Sequence, residues 1–393
     1  MAGSAALTAW RSLPSRAASN AFMPRDPVAP ANTTNWHSST QFPNFRKAKQ
    51  AVFAGTGRAI VGICGDSTSA GVGAGGTGGG PTNCTNLPYR NIGSYSFELA
   101  TALGALGTFD NFIGSGNDLV TLDSRMTLSG GAAESGAAAW GGPCYNLTSS
   151  GGTMAFAPTS GLNFDTIRVV IIASGAGQFN VNINGGATVG SGTSNASGNM
   201  QAFTFSVTRG TTTPVNIVQS GSTAVFLQSV ECYDSLNPRI NILDGGSGGL
   251  ISTSFDSSST GFTYNSGCLA CTPHLIIFDV GINDDQNGSP TVAQYYTNVS
   301  FFCNLMKSHN IDLLGMVPTP INNTGSQWFE FRAQLQSLSN LYNFPLIDLH
   351  SRYVSYNQQS TNKSPGWFCN NLHPDALLYT DLGTFLANVL LSI

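Results

Sequence analysis

Hydrophobic periodicity changes twice along this chain, and that change limits its possible architectures more than any other feature. Residues 59–64 read Ala-Ile-Val-Gly-Ile-Cys, an apolar run too continuous for a strand with one wet face. It predicts a strand buried on both sides, as in a parallel sheet. A Gly-rich loop over 71–81 follows. The next segment, 95–106, carries Phe97, Leu99, Ala100, Leu103 and Leu106 at helical spacing. Between 108 and 235 the pattern shifts to period two, with Gly, Ser, Thr and Asn alternating against Val, Ile and Phe, as in 166–172 and 179–183. These read as a pair of strands joined by Ala173-Ser-Gly-Ala-Gly177, and Asn184-Gly-Gly186 supplies another hairpin turn. After Asn237-Pro238 the first pattern returns. Strands are expected at 239–243, 275–280, 311–317 and 345–349, and helices around 329–341 and over 376–391. A further helix presents Val292, Tyr295, Tyr296, Val299, Phe302 and Met306 on one face.

Alternating strand and helix on both sides of a period-two stretch predicts an α/β fold with helices on both faces of a parallel sheet, interrupted by an inserted antiparallel β-sandwich. The expected organisation is an N-terminal arm over 1–50, with a short helix at 45–49 feeding the first strand. The first part of the α/β domain then covers 51–107, the insertion 108–235, and the second part of the α/β domain 236–393.

Composition narrows the partners. Sixteen basic and 20 acidic residues leave a net charge of -4, with no Lys/Arg cluster to neutralise phosphates, so nucleic acid is excluded as a partner. No stretch approaches the ~20 apolar residues of a membrane span. Charged residues make up 9% of the chain, against roughly 25% in an average soluble protein. With 46 glycines and abundant Ser, Thr and Asn, the surface is neutral and hydroxyl-rich, which suits a secreted, extracellular or virion-associated protein such as a tail component. Residues 1–23 are Ala/Ser-rich with Arg11 and Arg16 but lack the apolar core of a classical signal peptide. They read as a flexible arm able to dock onto a larger, virion-type assembly. Among eight cysteines, Cys84, Cys144, Cys268 and Cys271 lie in loop-like sequence where disulfides would form readily. Cys268-Leu-Ala-Cys271 has metal-site spacing, but no second such pair or nearby His pair completes a ligand set. No metal or cofactor is expected.

In an open α/β sheet, chemistry collects at the carboxyl ends of the strands. Four loops placed there are unusual: Gly65-Asp66-Ser67-Thr68, Asp244-Gly-Gly-Ser-Gly-Gly249, Gly281-Ile282-Asn283-Asp284, and Asn370-Asn-Leu-His373-Pro374. Each alone has a plain structural reading, as a helix cap, a glycine turn, an Asx turn or a core histidine. Together they place a hydroxyl nucleophile, a base and two oxyanion donors in the order acyl transfer requires.

On these four blocks the chain resembles the SGNH/GDSL hydrolases, serine esterases and lipases with a flavodoxin-like three-layer fold. The matching residues are Gly65-Asp66-Ser67, Ser247-Gly248, Gly281-Ile282-Asn283-Asp284 and His373-Pro374. Gly114-Ser115-Gly116 competes for the glycine block, but Gly248 follows a strand and precedes the asparagine block at the spacing the fold needs. The stretch 108–235 lies outside the family pattern and is similar to β-sandwich inserts of some phage and bacterial carbohydrate esterases. The resemblance implies that Ser67 attacks the ester carbonyl and that His373 moves the proton. It also implies that the Ser67 N–H, the Gly248 N–H and the Asn283 amide hold the oxyanion, with no cofactor. One position departs from the family: Asn370 stands where the acid of the triad is expected, three residues before His373. Asparagine can orient an imidazole but cannot balance imidazolium with a full charge, which predicts reduced activity. Asp375 could substitute, although its place at a helix start favours capping.

No apolar lid suggests a lipase, while Trp140, Tyr145 and Trp367 in polar context suit stacking on sugar rings. The expected substrate is an acetylated polysaccharide carrying short-chain O-acetyl esters. Two other function classes remain. One is a catalytically weak structural or receptor-binding virion component that uses the fold to bind glycan, and the other is a lipid or aryl esterase.

Overall fold

In a computed structural model of the protein, residues 32–74, 93–117, 120–121, 123–148, 151–159, 162–256, 262–319, 327–353, 368 and 372–393 are described. The apolar runs at both ends of the chain assemble one seven-stranded sheet. In chain order its strands are β1 (Thr33–Thr34), β2 (Ala59–Cys64), β3 (Gly107–Thr108), β4 (Ile240–Asp244), β5 (Leu275–Asp279), β6 (Asp312–Val317) and β7 (Leu346–Asp348). Across the sheet they lie in the order β1-β7-β6-β5-β2-β4-β3. All neighbours pair in parallel except β1, which joins β7 antiparallel.

The continuous apolar sequence of β2 follows from burial on both faces. Val61 and Ile63 pack into one core with Ile242 and Ile277, while Ile60 and Cys64 pack into another with Leu243, Ile276 and Phe278. Helices cover each side. The first core takes α1 (Pro43–Ala54), α2 (Tyr95–Ala102) and α7 (Ala376–Ser392). The second takes α3 (Tyr264–Ala270), α5 (Val292–Ser308) and α6 (Trp328–Tyr342), with the short α4 (Ile282–Asn287) entering α5. Tyr295, Val299, Phe302 and Met306 of α5 are buried as their spacing predicts. Thr291 and Gln294 close a capping box at its start.

The period-two segment forms two antiparallel sheets. Five strands lie in the order Thr188–Thr193, Gln178–Ile183, Val215–Gln219, Thr153–Phe156, Met126–Ser129. A second, six-stranded sheet runs Met200–Gly210, Phe164–Ile172, Val225–Tyr233, Gly142–Leu147, Ala132–Ala139, with Asn111–Ile113 also paired to Val225–Tyr233. Phe156, Phe179, Val181 and Ile217 of the first share a core with Leu147, Ile167, Val169 and Leu227 of the second. Asn184 and Gly185, at φ of 52° and 68°, make the expected turn between Gln178–Ile183 and Thr188–Thr193.

Three expectations are corrected here. Phe164–Ile172 and Gln178–Ile183 are not a hairpin pair. They belong to different sheets, and 173–177 crosses between them. Residues 32–50 are not a free arm: β1 sits at the sheet edge, and Phe42 and Phe45 are 0% exposed. Residues 1–23, expected to dock elsewhere, lie outside the described residues. Cys144, Cys268 and Cys271 are free thiols inside cores rather than loop disulfides; burial pushes Cys144 up to about 12 and Cys271 to about 11. Cys84 and Cys369 are outside the described residues. No described helix is long and apolar enough to cross a membrane.

Candidate active site

Strands β4, β2 and β5 are neighbours in the sheet, and the loops leaving their carboxyl ends carry Gly248, Ser67 and Asn283 respectively. Parallel neighbours end on the same edge, so loops distant in sequence converge there.

The loop that carries Ser67 turns sharply as β2 ends. A Cβ on Gly65 would lie 1.7 Å from Asp279 Oδ1 and 2.2 Å from Ser69 Oγ, so only glycine fits against the end of β5. Asp66 Oδ1 accepts the Thr68 N–H at 2.8 Å, and the Val72 N–H donates to the Ser67 carbonyl at 3.0 Å. This compact turn leaves Ser67 half-buried between fully buried Asp66 and Thr68.

His373 arrives from the far end of the chain. Asp375 caps α7, its Oδ1 accepting the Ala376 N–H at 2.6 Å, which is the capping role its position suggests. One turn later Tyr379, fully buried, shares its hydroxyl proton between the carbonyls of Val72 at 2.7 Å and Thr68 at 3.1 Å. That bond ties α7 to the nucleophile turn. It leaves His373 Nε2 2.9 Å from Ser67 Oγ.

The glycine loop continues the pairing with β2 beyond the strands. Gly245 N–H donates to Ile63 O at 3.0 Å, and Ser247 N–H to Gly65 O at 2.9 Å. Ser247 and Gly248 emerge half-buried on the same edge. Asn283, in the first turn of α4, donates from Nδ2 to Leu250 O at 3.0 Å. Its neighbour Asp284 accepts the Ser252 N–H on both oxygens, at 3.0 and 3.1 Å. The asparagine block is therefore bonded to the segment that directly follows the glycine block.

Burial sets the electrostatics. It pulls His373 down to about 4, because an imidazolium there would lose its hydration. It pushes Asp66 up to about 6, against the lowering effect of the Thr68 bonds. Asp279, beneath Gly65, is driven well above the usual carboxylate range by burial and then by the charge of Asp66. Asp279 Oδ1 accepts from Ser69 Oγ at 2.6 Å, and Ser69 Oγ lies 2.8 Å from the Tyr95 hydroxyl.

Ser67 and His373 are thus brought together, and Gly248 and Asn283 are placed on the adjoining strand ends. Asn370 and Trp367 lie outside the described residues. Gly114 lies in the antiparallel region and follows no strand of the parallel sheet; a Cβ there would meet Gly141 O at 2.2 Å. The sugar-stacking expectation for Trp140 and Tyr145 is overturned: both are 0% exposed. Trp140 is packed beneath the glycine loop, and Tyr145 is in the core between the antiparallel sheets. Sequence reasoning missed the supporting groups Ser69, Tyr95, Asp279 and Tyr379. One signal was available: Asp244 and Asp279 each end an apolar strand, and Asp66 follows β2 by two residues. Carboxylates at such positions must be held by a polar network.

No protein-family model and no curated protein sequence matches the chain. Solved structures do. A peptidoglycan O-acetylesterase overlays on 91% of this chain and 97% of its own, with a TM-score of 0.66 at 15% identity. An acetyl xylan esterase, AlAXEase, covers 38% of this chain and 80% of its own (TM-score 0.33, 17% identity). A family two carbohydrate esterase from Cellvibrio japonicus covers 71% and 96% (TM-score 0.28, 14% identity). With 91% of its length overlaid on 97% of that O-acetylesterase, the chain shares its fold, and the loops carrying Ser67 and His373 meet at the strand ends.

Proposed function

We propose that this protein is a serine esterase that removes O-acetyl groups from a polysaccharide outside the cell. The observation that carries the reading is the 2.9 Å approach of His373 Nε2 to Ser67 Oγ at the mouth of three neighbouring strands. Ser67 Oγ attacks the acetyl carbonyl carbon while its proton passes to His373 Nε2. The negative charge that develops on the carbonyl oxygen is held by the N–H groups of Ser67 and Gly248 and by the Asn283 amide. That amide has two N–H donors; one is spent on Leu250 O, and the other is assigned to the oxyanion. Collapse breaks the ester C–O bond, and His373 returns the proton to the departing sugar oxygen. Water, giving a proton to His373, then attacks the carbonyl carbon of acetyl-Ser67; the C–Oγ bond breaks, acetate leaves, and His373 returns the proton to Ser67 Oγ.

The polysaccharide as substrate rests on the hydroxyl-rich, low-charge composition and on the fold shared with an enzyme named for peptidoglycan O-acetyl esters. Residues 108–235 are proposed as a sandwich unit inserted into the hydrolase domain, and residues 1–23 as the attachment to a larger assembly. The test is acetate release from acetylated polysaccharides, with nitrophenyl esters of increasing chain length alongside. Release of acetate with preference for the shortest acyl chain supports the reading. Preference for long chains would make it a lipid esterase. No hydrolysis by folded protein would make it a glycan-binding component.

A pH profile checks the base. Neutral imidazole is the active form, so kcat/KM is expected to hold its plateau to about pH 4–5 and fall below it, following His373. In Asn370→Asp, the added carboxylate favours imidazolium and strengthens the base. The acid limb should move to higher pH while the neutral plateau rises. An unshifted limb would place residue 370 away from His373.

A further inference from the structure

We propose that Trp140 is a positioning residue for the glycine loop, so that the antiparallel region completes the catalytic site instead of standing beside it. Trp140 lies on the turn between Ala132–Ala139 and Gly142–Leu147, far in sequence from every strand of the parallel sheet. Yet its ring is 0% exposed and reaches between β2 and the glycine loop. A Cβ would meet the indole 1.8 Å away at Gly245, 3.0 Å away at Gly62, and the Trp140 Cβ 2.8 Å away at Gly267. Glycine on β2 and in the glycine loop makes the slot that the indole fills, and glycine on α3 admits the Trp140 backbone and Cβ.

The bonds are as specific as the packing. Trp140 Nε1–H donates to Ile63 O at 3.1 Å, the same carbonyl that accepts the Gly245 N–H at 3.0 Å. The next residue, Gly141, donates its N–H to Gly245 O at 3.1 Å. Gly245 O also accepts the Tyr264 hydroxyl at 2.8 Å, and that tyrosine oxygen in turn accepts the Gly65 N–H at 3.1 Å. The Gly245 carbonyl is thus held by Gly141 and Tyr264 and its N–H by Ile63, the residue whose carbonyl Trp140 also holds, while the indole packs against Gly245 itself. Two residues further on, Ser247 bonds to Gly65, and Gly248 follows. From the far side the antiparallel region fixes Trp140 itself, through the Gln228 side chain bonded to its carbonyl, and holds the end of α3 through Arg168 bonded to Ala270 O. A shift of Trp140 would therefore displace the Gly248 N–H relative to Ser67 with no change in either residue.

The inference rests on the esterase reading for its kinetic readout, so the test pairs activity with hydrogen exchange. Trp140→Phe keeps an aromatic ring and removes the N–H. Per active site titrated with a fluorophosphonate, kcat on a short nitrophenyl ester is expected to fall about 10- to 100-fold, with KM within about twofold. Backbone exchange over 245–247 should quicken, while exchange in β6 stays unchanged. A role confined to stability would lower the melting temperature and leave kcat per titrated site intact. Gly245→Ala crowds the same contact from the loop side, and it should show the same kcat loss. Combined with Trp140→Leu, it should cost no more than the worse single change. Unchanged kcat and unchanged exchange over 245–247 in folded Trp140→Phe would overturn the inference. Should the wild type hydrolyse no ester, the esterase reading fails, and the exchange of 245–247 alone decides this one.

Discussion

Ser67→Ala is expected to lower turnover by on the order of 10^4-fold or more while leaving the melting temperature within about a degree of wild type. The two halves of that expectation have separate causes. The hydroxyl is the only protein group in the proposed mechanism that forms a bond to the acyl carbon, and His373 Nε2 lies 2.9 Å from it. The fold does not need the hydroxyl. The turn is held by the Asp66–Thr68 bond, the Val72 N–H on the Ser67 carbonyl, and the Tyr379 hydroxyl, none of which uses the serine side chain. Acetate release and a thermal melt on the same preparation check both. Hydrolysis within tenfold of wild type would move the nucleophile elsewhere. A lost fold would mean that the serine is structural.

Gly65→Ala should do the reverse, damaging the fold first and activity as a consequence. The added Cβ would lie 1.7 Å from Asp279 Oδ1, 2.2 Å from Ser69 Oγ and 2.8 Å from Ser69 Cβ. Neither neighbour can yield cheaply. Asp279 is 1% exposed and Ser69 0%, and they are bonded to each other at 2.6 Å, so relief means breaking a buried polar pair. The expected loss is about 3–5 kcal/mol, at the upper end of overpacking effects because a hydrogen bond goes with it. Gly57→Ala is the matched control. Its Cβ would make an ordinary 3.4 Å contact with Ala51, and the change should stay within about 0.5 kcal/mol. Urea unfolding of the two variants checks the contrast. Equal midpoints would show that the end of β5 is not packed against the nucleophile turn.

Much of the parallel sheet was legible because its strands are buried on both faces, and that leaves a mark no half-exposed strand has. Ala59–Cys64, Leu275–Asp279 and Asp312–Val317 were readable for this reason, and their helices by the spacing of the faces they bury. The Asn184-Gly185 turn was readable from the positive φ that both residues must take. Partner choice was not. Phe164–Ile172 and Gln178–Ile183 alternate as paired strands do, yet they sit in separate sheets, since alternation reports a wet face and a dry face but not which strand lies alongside.

The same division runs through the site. Local sequence determined the four blocks, their order and Asp375 as a helix cap, because loop chemistry and capping are settled within a few residues. Only the tertiary structure decided that Ser67 and His373, 306 positions apart, meet at 2.9 Å. It also decided that the segment from Asn32 onward is built into the sheet, and that three thiols expected in loops are core residues. Trp140 is the sharpest case. An aromatic in polar, glycine-rich sequence reads as a surface platform for sugars, but glycines at 62 and 245 leave a slot that its ring fills. Burial of a single side chain depends on space left by residues distant in sequence, and that space exists only once parallel strands and antiparallel turn have packed together.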